Sequence, residues 1–210
     1  MGNGKVVRAD PPSHRRDREP ATLWPMHDLV EQGYDARLAG ILEAPDDFGR
    51  VEIIVRRPAE GERELLDEGR LDLELGLVGD RWAERDDHTP VYMQAQLTVI
   101  NTRVLAAIEP DRERWPQAGD QLFVDLDLSE ENLPIGSRLA IGTAVIEISE
   151  TPHTGCAKFS ARFGSDALRW INSPTGRAHR MRGLNARIVE PGTVRVGDTV
   201  RKVRSGALPA

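Results

Sequence analysis

Apolar and polar positions change their spacing several times along this chain, and each change predicts an element. Residues 1 to 22 hold few apolar anchors, two adjacent prolines and the alternating charges His14-Arg-Arg-Asp-Arg-Glu19, which predict a flexible N-terminal tail. Ordered structure is expected from Leu23-Trp24 onward, as a single domain over 23–204 with a frayed end at 205–210. Leu38 to Ala44 reads as a strand, Pro45-Asp-Asp-Phe-Gly49 as a turn, and Val51 to Arg56 as the second strand of a hairpin. Glu62 to Glu68 is rich in good helix formers and is closed by Gly69, so a short helix is predicted there.

Beyond this point short β-type segments dominate. In Gly76-Leu-Val-Gly-Asp-Arg-Trp82 two glycines bracket an apolar pair, a pattern that lets backbone turn tightly or approach a ligand. Leu97 to Val104 reads as a strand leading into a helical stretch, Val104 to Glu109. Gln121 to Asp127 alternates cleanly, with Leu122, Val124 and Leu126 on one face and Phe123 on the other. Arg138 to Ile141 and Thr143 to Ile148 follow as strands. After Cys156 the pattern turns helical: Ser165 can cap Asp166 to Ile171, and Ser173-Pro174 has the cap and first-position residues of another helix. Strands return in Ala186 to Glu190, Val194 to Val196 and Thr199 to Val203. The whole reads as mainly β with short helices, a β-barrel carrying helical insertions.

Composition narrows the class. With 39% hydrophobic and 30% charged residues the chain is ordinary for a globular protein, and no apolar run approaches the length that spans a bilayer. No signal-like apolar block follows Lys5 and Arg8, so a cytoplasmic location is expected, with no membrane partner. One cysteine excludes an internal disulfide framework and any multi-thiolate zinc site, and the five histidines lack HxxxH or HExxH spacing. A net charge of −6 argues against nucleic-acid binding. That figure conceals an asymmetry. Residues 156–187 contain seven Lys or Arg against Asp166 alone, a local +6 that leaves −12 on the rest. Such a local positive field suits a small anion, or else a solvated helix face.

The single cysteine, Cys156, sits in this field, in Thr151-Pro-His-Thr-Gly-Cys-Ala-Lys158, on the loop leaving the Thr143 to Ile148 strand. Positive surroundings lower a thiol's pKa and favour the thiolate that acts as nucleophile or metal ligand. A lone cysteine is otherwise a small buried hydrophobe, but polar or small neighbours suit an exposed loop better. His153 is a candidate base or ion-pair partner for the thiol, or a loop residue bonded to backbone. Lys158 either depresses the thiol pKa or binds an anion, or it is simply solvated. Asp80 and Arg81 form an acid–guanidinium step at a strand end. Arg177, Arg180 and Arg182 offer planar guanidinium groups to a phosphate.

Four ordered segments together resemble the MOSC domain, named after the C-terminal part of molybdenum cofactor sulfurases. They are Gly76-Leu-Val-Gly-Asp-Arg81, Gly119-Asp-Gln-Leu122 with Leu126-Asp-Leu128, Leu139 to Ile148 leading to Pro152 and Cys156, and Arg182-Gly-Leu-Asn-Ala-Arg-Ile-Val followed by Gly192 to Asp198. The resemblance implies a MOSC-type β-barrel and one functional cysteine, here Cys156, that carries sulfur or ligates the molybdenum of an anionic pterin cofactor, molybdopterin. It implies roles near the cofactor for His153, Thr154, Gly155, Lys158, Asp80, Arg81, Arg177, Arg180 and Arg182. No pyridoxal-phosphate domain and no cysteine-rich electron-transfer domain is present in this sequence. Pyridoxal phosphate would enter only through a separate partner, and a cysteine desulfurase or an electron-transfer protein is the expected partner class. The alternatives are a non-enzymatic persulfide carrier and a small-ligand binding barrel with a structural thiol.

Overall fold

The computed structural model describes residues 5–8, 26–84 and 89–203. Its elements in chain order are β1 (Lys5–Arg8), α1 (Met26–Leu42), β2 (Phe48–Arg56), β3 (Glu62–Leu66), β4 (Glu68–Asp72), β5 (Gly76–Leu77), α2 (Pro90–Met93), β6 (Leu97–Asn101) and α3 (Thr102–Ile108). The second half supplies β7 (Leu122–Asp125), β8 (Arg138–Ile141), β9 (Ala144–Ile148), α4 (Ala157–Phe163), α5 (Ser165–Ile171), α6 (Pro174–Ala178), β10 (Leu184–Glu190), β11 (Gly192–Arg195) and β12 (Thr199–Val203). Two 3-10 turns, Arg81–Glu84 and Arg112–Ala118, precede α2 and β7.

Hydrogen bonding runs β2-β12-β8-β9-β10-β6-β7, and β7 pairs back onto β2, so seven strands close a barrel. Closure removes the open edges that a free sheet would present. The pairs in this cycle are antiparallel except β6–β7, which is parallel and joined through α3 and the second 3-10 turn, as a parallel pair requires. A register shift between Val51 and Ile53 bends β2 where it meets β7. Beyond β2 the sheet continues as β3 and then β1, while β11, β4 and β5 form a small second sheet.

Period-two alternation sorts the core into two layers. Val51, Leu97, Val99, Leu122, Val124, Ile146, Ala186 and Val200 fill one cluster, enclosed by the barrel strands. The intervening Ile100 and Phe123 point outward and join Val55, Val104, Leu105, Phe159, Trp170 and Ile171, the layer on which the helices pack. The predicted split of Leu122 and Val124 from Phe123 is therefore the division between these layers. The Asn101 side chain accepts from the Arg103 N–H to cap α3, and Ser173 Oγ accepts from the Gly176 N–H at 3.0 Å to cap α6.

Two local expectations are corrected. Leu38 to Ala44 is not a strand: residues 26–42 are one helix, on which Tyr34, Leu38 and Ile41 lie at i, i+4 and i+7 and face the outer core. Glu62 to Glu68 is not a helix. Glu62–Leu66 pairs with β2, Leu66 opposite Ile54 and Glu64 opposite Arg56, and tertiary pairing overrides a modest helix propensity. The expected N-terminal tail and frayed C-terminus lie outside the described residues apart from Lys5–Arg8, which run antiparallel to β3. No helix is long and apolar enough to cross a membrane among the described residues.

Candidate functional site

Register sets residues of five neighbouring strands in one row around the barrel. Ile54 near the end of β2 faces Leu122 at the start of β7, Leu122 faces Val99 of β6, Val99 faces Leu184 at the start of β10, and Ala186 faces Ile148 at the end of β9. The segments flanking this row are the β2–β3 turn, the Ala118-Gly-Asp120 corner, Arg182 and the Cys156 loop. They enclose a cleft of about 480 Å³ lined by Arg57, Arg63, Arg81, His153, Cys156, Lys158, Arg162 and Arg182, among others.

Cys156 is exposed at this cleft, one residue ahead of α4. Phe159, 2% exposed, pins α4 to the outer core, and the Arg182 guanidinium lies 5.1 Å from its ring centroid. The loop before the thiol is clamped to α5: the Gly155 N–H donates to Asn172 Oδ1 at 3.1 Å and Asn172 Nδ2 returns a bond to the Gly155 carbonyl. A side chain at 155 would meet Leu168 Cδ1 at 2.6 Å and Ile171 Cδ1 at 2.9 Å, so glycine is what lets the loop lie this close. Partial burial of the thiol opposes its ionisation. The Phe159 and Lys158 backbone amides and the positive charges of Arg182 and Arg162 outweigh this and hold it below its ordinary value. No full cap hydrogen bond to Sγ is formed, so the amides act by favouring the thiolate.

Behind the thiol lies a buried polar hub. Asp120, fully buried, accepts from Arg182 Nη1 at 2.7 Å, and Arg182 Nη2 donates to the Ala118 carbonyl at 3.0 Å. Asp80 plays the matching part for Arg57: its carboxylate accepts from Nε and Nη2 at 2.9 Å each, from the Arg57 N–H and from the Trp82 N–H. Arg57 Nη1 in turn donates to the Gly119 carbonyl. The His153 ring sits 3.4 Å from Asp120 Oδ1 without forming a hydrogen bond. Burial, then Arg182, push its pKa down to about 3 against the opposing pull of Asp120, with Arg57 adding to the fall. His153 is thus a neutral imidazole at neutral pH.

Of the residues expected from the sequence, Arg81, His153, Cys156, Lys158 and Arg182 line this cleft. Lys158 is exposed and reaches Glu60 across its mouth at 3.3 Å; this contact and Arg81 hold the Glu60 carboxyl below its usual range. Asp80 and Gly155 stand behind the cleft wall, positioning Arg57 and the thiol loop. Thr154, Arg177 and Arg180 line a second cavity of about 320 Å³, which shares His153 and Arg182 with the first. There Arg180 is spent on structure, Nη1 donating to the Leu128 and Leu133 carbonyls. Sequence reasoning missed Arg57, Arg63 and Asp120. Asp120 lay within the Gly119-Asp120 motif; the two arginines belong to a hairpin with no local signal of function. Among the described residues no group of three or more His, Cys, Asp or Glu stands ready to hold a metal by protein ligands alone.

A family model described as the MOSC domain matches residues 78–201, more than half of the chain. No curated protein matches it. Among solved structures, YuaD from Bacillus subtilis is 16% identical, with 75% of this chain and 97% of that chain covered and a TM-score of 0.56. YiiM from Escherichia coli is 23% identical, with 74% and 70% covered and a TM-score of 0.50. YiiM from Geobacillus stearothermophilus is 15% identical, with 75% and 76% covered and a TM-score of 0.52. At these identities the likeness concerns the fold.

Proposed function

This chain belongs to the MOSC domain family, and from that premise we propose that its cleft holds an anionic molybdenum–pterin cofactor with the Cys156 thiolate as the protein ligand to the metal. Its activity would be oxidoreduction or sulfur transfer with a separate partner protein. The observation that carries the reading is the placement of an exposed, acid-shifted thiol at the rim of a cleft walled by arginines.

The donor set fits such a group. Thiolate is a soft ligand, and one thiolate suffices where the pterin itself chelates the metal. Residues lining the same cleft carry buried, unpartnered polar atoms: Arg63 Nε, Arg182 Nε and His153 Nδ1 lack hydrogen-bond partners. When bound, the cofactor would supply a metal centre able to change oxidation state. The chain's own residues divide the remaining work. Cys156 would ligate, Arg182 and Arg162 favour its ionised form, and Gly155 with Asn172 holds the loop that carries the thiol. The neutral ring of His153 offers one donor and one acceptor at the wall shared by the two cavities.

The same thiolate suits a second reading, the persulfide carrier. Attack of Cys156 Sγ on the terminal sulfur of a partner's persulfide would form one S–S bond, break another and release the partner's thiolate, with no external oxidant. A structural thiol would be packed, whereas Cys156 is exposed, which speaks against the small-ligand barrel reading.

Molybdenum and pterin analysis of freshly isolated protein tests the proposal. About one metal equivalent per chain is expected, lost in Cys156→Ala while the circular dichroism spectrum is retained. Unchanged metal content in that variant would remove Cys156 as ligand. A reducible gain of one sulfur mass after incubation with a cysteine desulfurase, in metal-free protein, would favour the carrier.

A further inference from the structure

The cleft arginines are not equivalent. Arg57 and Arg182 are each bound to a buried carboxylate, Asp80 and Asp120. Arg63 and Arg162 have no carboxylate within ion-pair distance among the described residues. Arg63 is 7% exposed, its Nη1 donates only to the Glu62 carbonyl at 2.6 Å, and its Nε is sealed without a partner. Burial, followed by the charges of Arg162, Arg57 and Arg81, pulls its pKa down to about 10, with Asp80 alone opposing. Arg162 is likewise lowered by burial, with Cys156 opposing and Arg182 adding to the fall, and spends Nη1 on the Gln117 carbonyl at 2.7 Å. A buried guanidinium crowded by three of its own sign is an uncompensated charge that an anion would relieve.

The two guanidinium ends also converge on one point. A Cβ at Gly119 would lie 3.6 Å from Arg63 Nη2 and 3.6 Å from Arg162 Nη1. Gly119 ends the 3-10 turn Arg112–Ala118 with φ of 91°, a left-handed conformation that favours glycine, and its bare Cα leaves a notch between the two forks.

We propose that Arg63, Arg162 and the notch over Gly119 form a seat for a phosphomonoester dianion. Planar forks bind tetrahedral oxyanions through paired N–H donors, and Arg63, already dehydrated and held in place, loses little freedom in doing so. The assignment moves the anion seat away from Arg177 and Arg180, which the sequence suggested, and onto a strand that precedes the matched family segment. It deepens the cofactor reading by naming which end of the cleft takes the phosphate, yet it is tested independently of molybdenum. The shared chemistry is phosphate, whether free or carried by the pterin.

Calorimetric titration of metal-free protein with inorganic phosphate, at low and constant ionic strength, is the test. The expected result is saturable binding that methyl phosphate competes for and nitrate does not. Affinity should fall tenfold or more in Arg162→Gln, recover in part in Arg162→Lys, and stay within twofold in Arg177→Gln. Because a change at buried Arg63 risks the fold, half-buried Arg162 carries the mutational arm, and phosphate protection of Arg63 from phenylglyoxal, mapped by mass spectrometry, serves as the second readout. No phosphate binding, binding unmoved by Arg162→Gln, or equal competition by nitrate would overturn the seat. Cofactor-loaded protein that no longer binds phosphate identifies the pterin's phosphate as occupant, and continued binding identifies free phosphate. In Cys156→Ala phosphate binding should persist; loss of metal there with phosphate binding retained, or the reverse in Arg162→Gln, separates failure of one reading from failure of the other.

Discussion

Asp120→Ala is expected to destabilise the protein through a charge it leaves behind. In the native molecule the Asp120 side chain is wholly buried and accepts from Arg182 Nη1 at 2.7 Å, while the Arg182 side chain is 8% exposed. Truncation strands that guanidinium, and breaking a buried pair from one side costs about 3–5 kcal/mol. Arg182 keeps its bond to the Ala118 carbonyl and its place by the Phe159 ring. The lower end of the range therefore applies, about 3 kcal/mol. In a domain of this size that lowers Tm by roughly 6–12 °C. Urea unfolding followed by tryptophan fluorescence measures it, with an unchanged m-value marking an unchanged fold. The double variant Asp120→Ala/Arg182→Met removes the stranded charge and should regain at least half the loss. A single variant within about 1 kcal/mol of the parent, or strictly additive effects, would refute the view of Asp120 as the counter-charge of the hub.

Further expectations concern the thiol, the imidazole and the clamp. Alkylation of Cys156 by iodoacetamide should show its inflection below the ordinary thiol value of about 8.5, and Arg162→Gln should raise it; an inflection at or above the ordinary value contradicts the electrostatic account. Because the folded His153 resists protonation down to about 3 whereas the unfolded ring takes up its proton near 6.5, its contribution to stability is complete above about 6.5 and drains away as pH falls toward 3. Its NMR resonances should stay unshifted as pH falls from about 6.5 to about 5, where an ordinary imidazole titrates, and His153→Phe should flatten the acid limb of the stability curve. Gly155→Ala forces a Cβ against Leu168 and Ile171 and should cost about 1–3 kcal/mol while changing the alkylation rate at Cys156; an unaltered rate would mean that the clamp does not aim the thiol.

Much of the fold was legible because period-two alternation survives in the barrel strands, as in Leu122-Phe-Val124, and because Ser173-Pro174 and the Cys156 loop carry local signals. Glu62–Leu66 failed for the opposite reason: its residues favour a helix in isolation, and only pairing with Ile54 to Arg56 makes them a strand. The 34, 38, 41 spacing that betrays α1 was present but hidden behind a short apolar run, Leu38-Ala-Gly-Ile-Leu42, that mimics a strand. At the site, the thiol and Arg182 were visible within one charged block. Arg57 and Arg63 were not, since what joins them to Cys156 is barrel closure, and no local window spans it.

That closure also sets a timetable. β2 is made early yet needs both β7 and β12 as neighbours, and β12 ends at Val203. Between the synthesis of Arg63 and that of Val203 lie about 140 residues, roughly 7–28 s of ribosomal elongation. Throughout that interval residues 48–50 of β2 lack the β12 strand that flanks them, and the barrel stays open there. A truncation that removes β12 should therefore unsettle a cleft none of whose lining residues it contains.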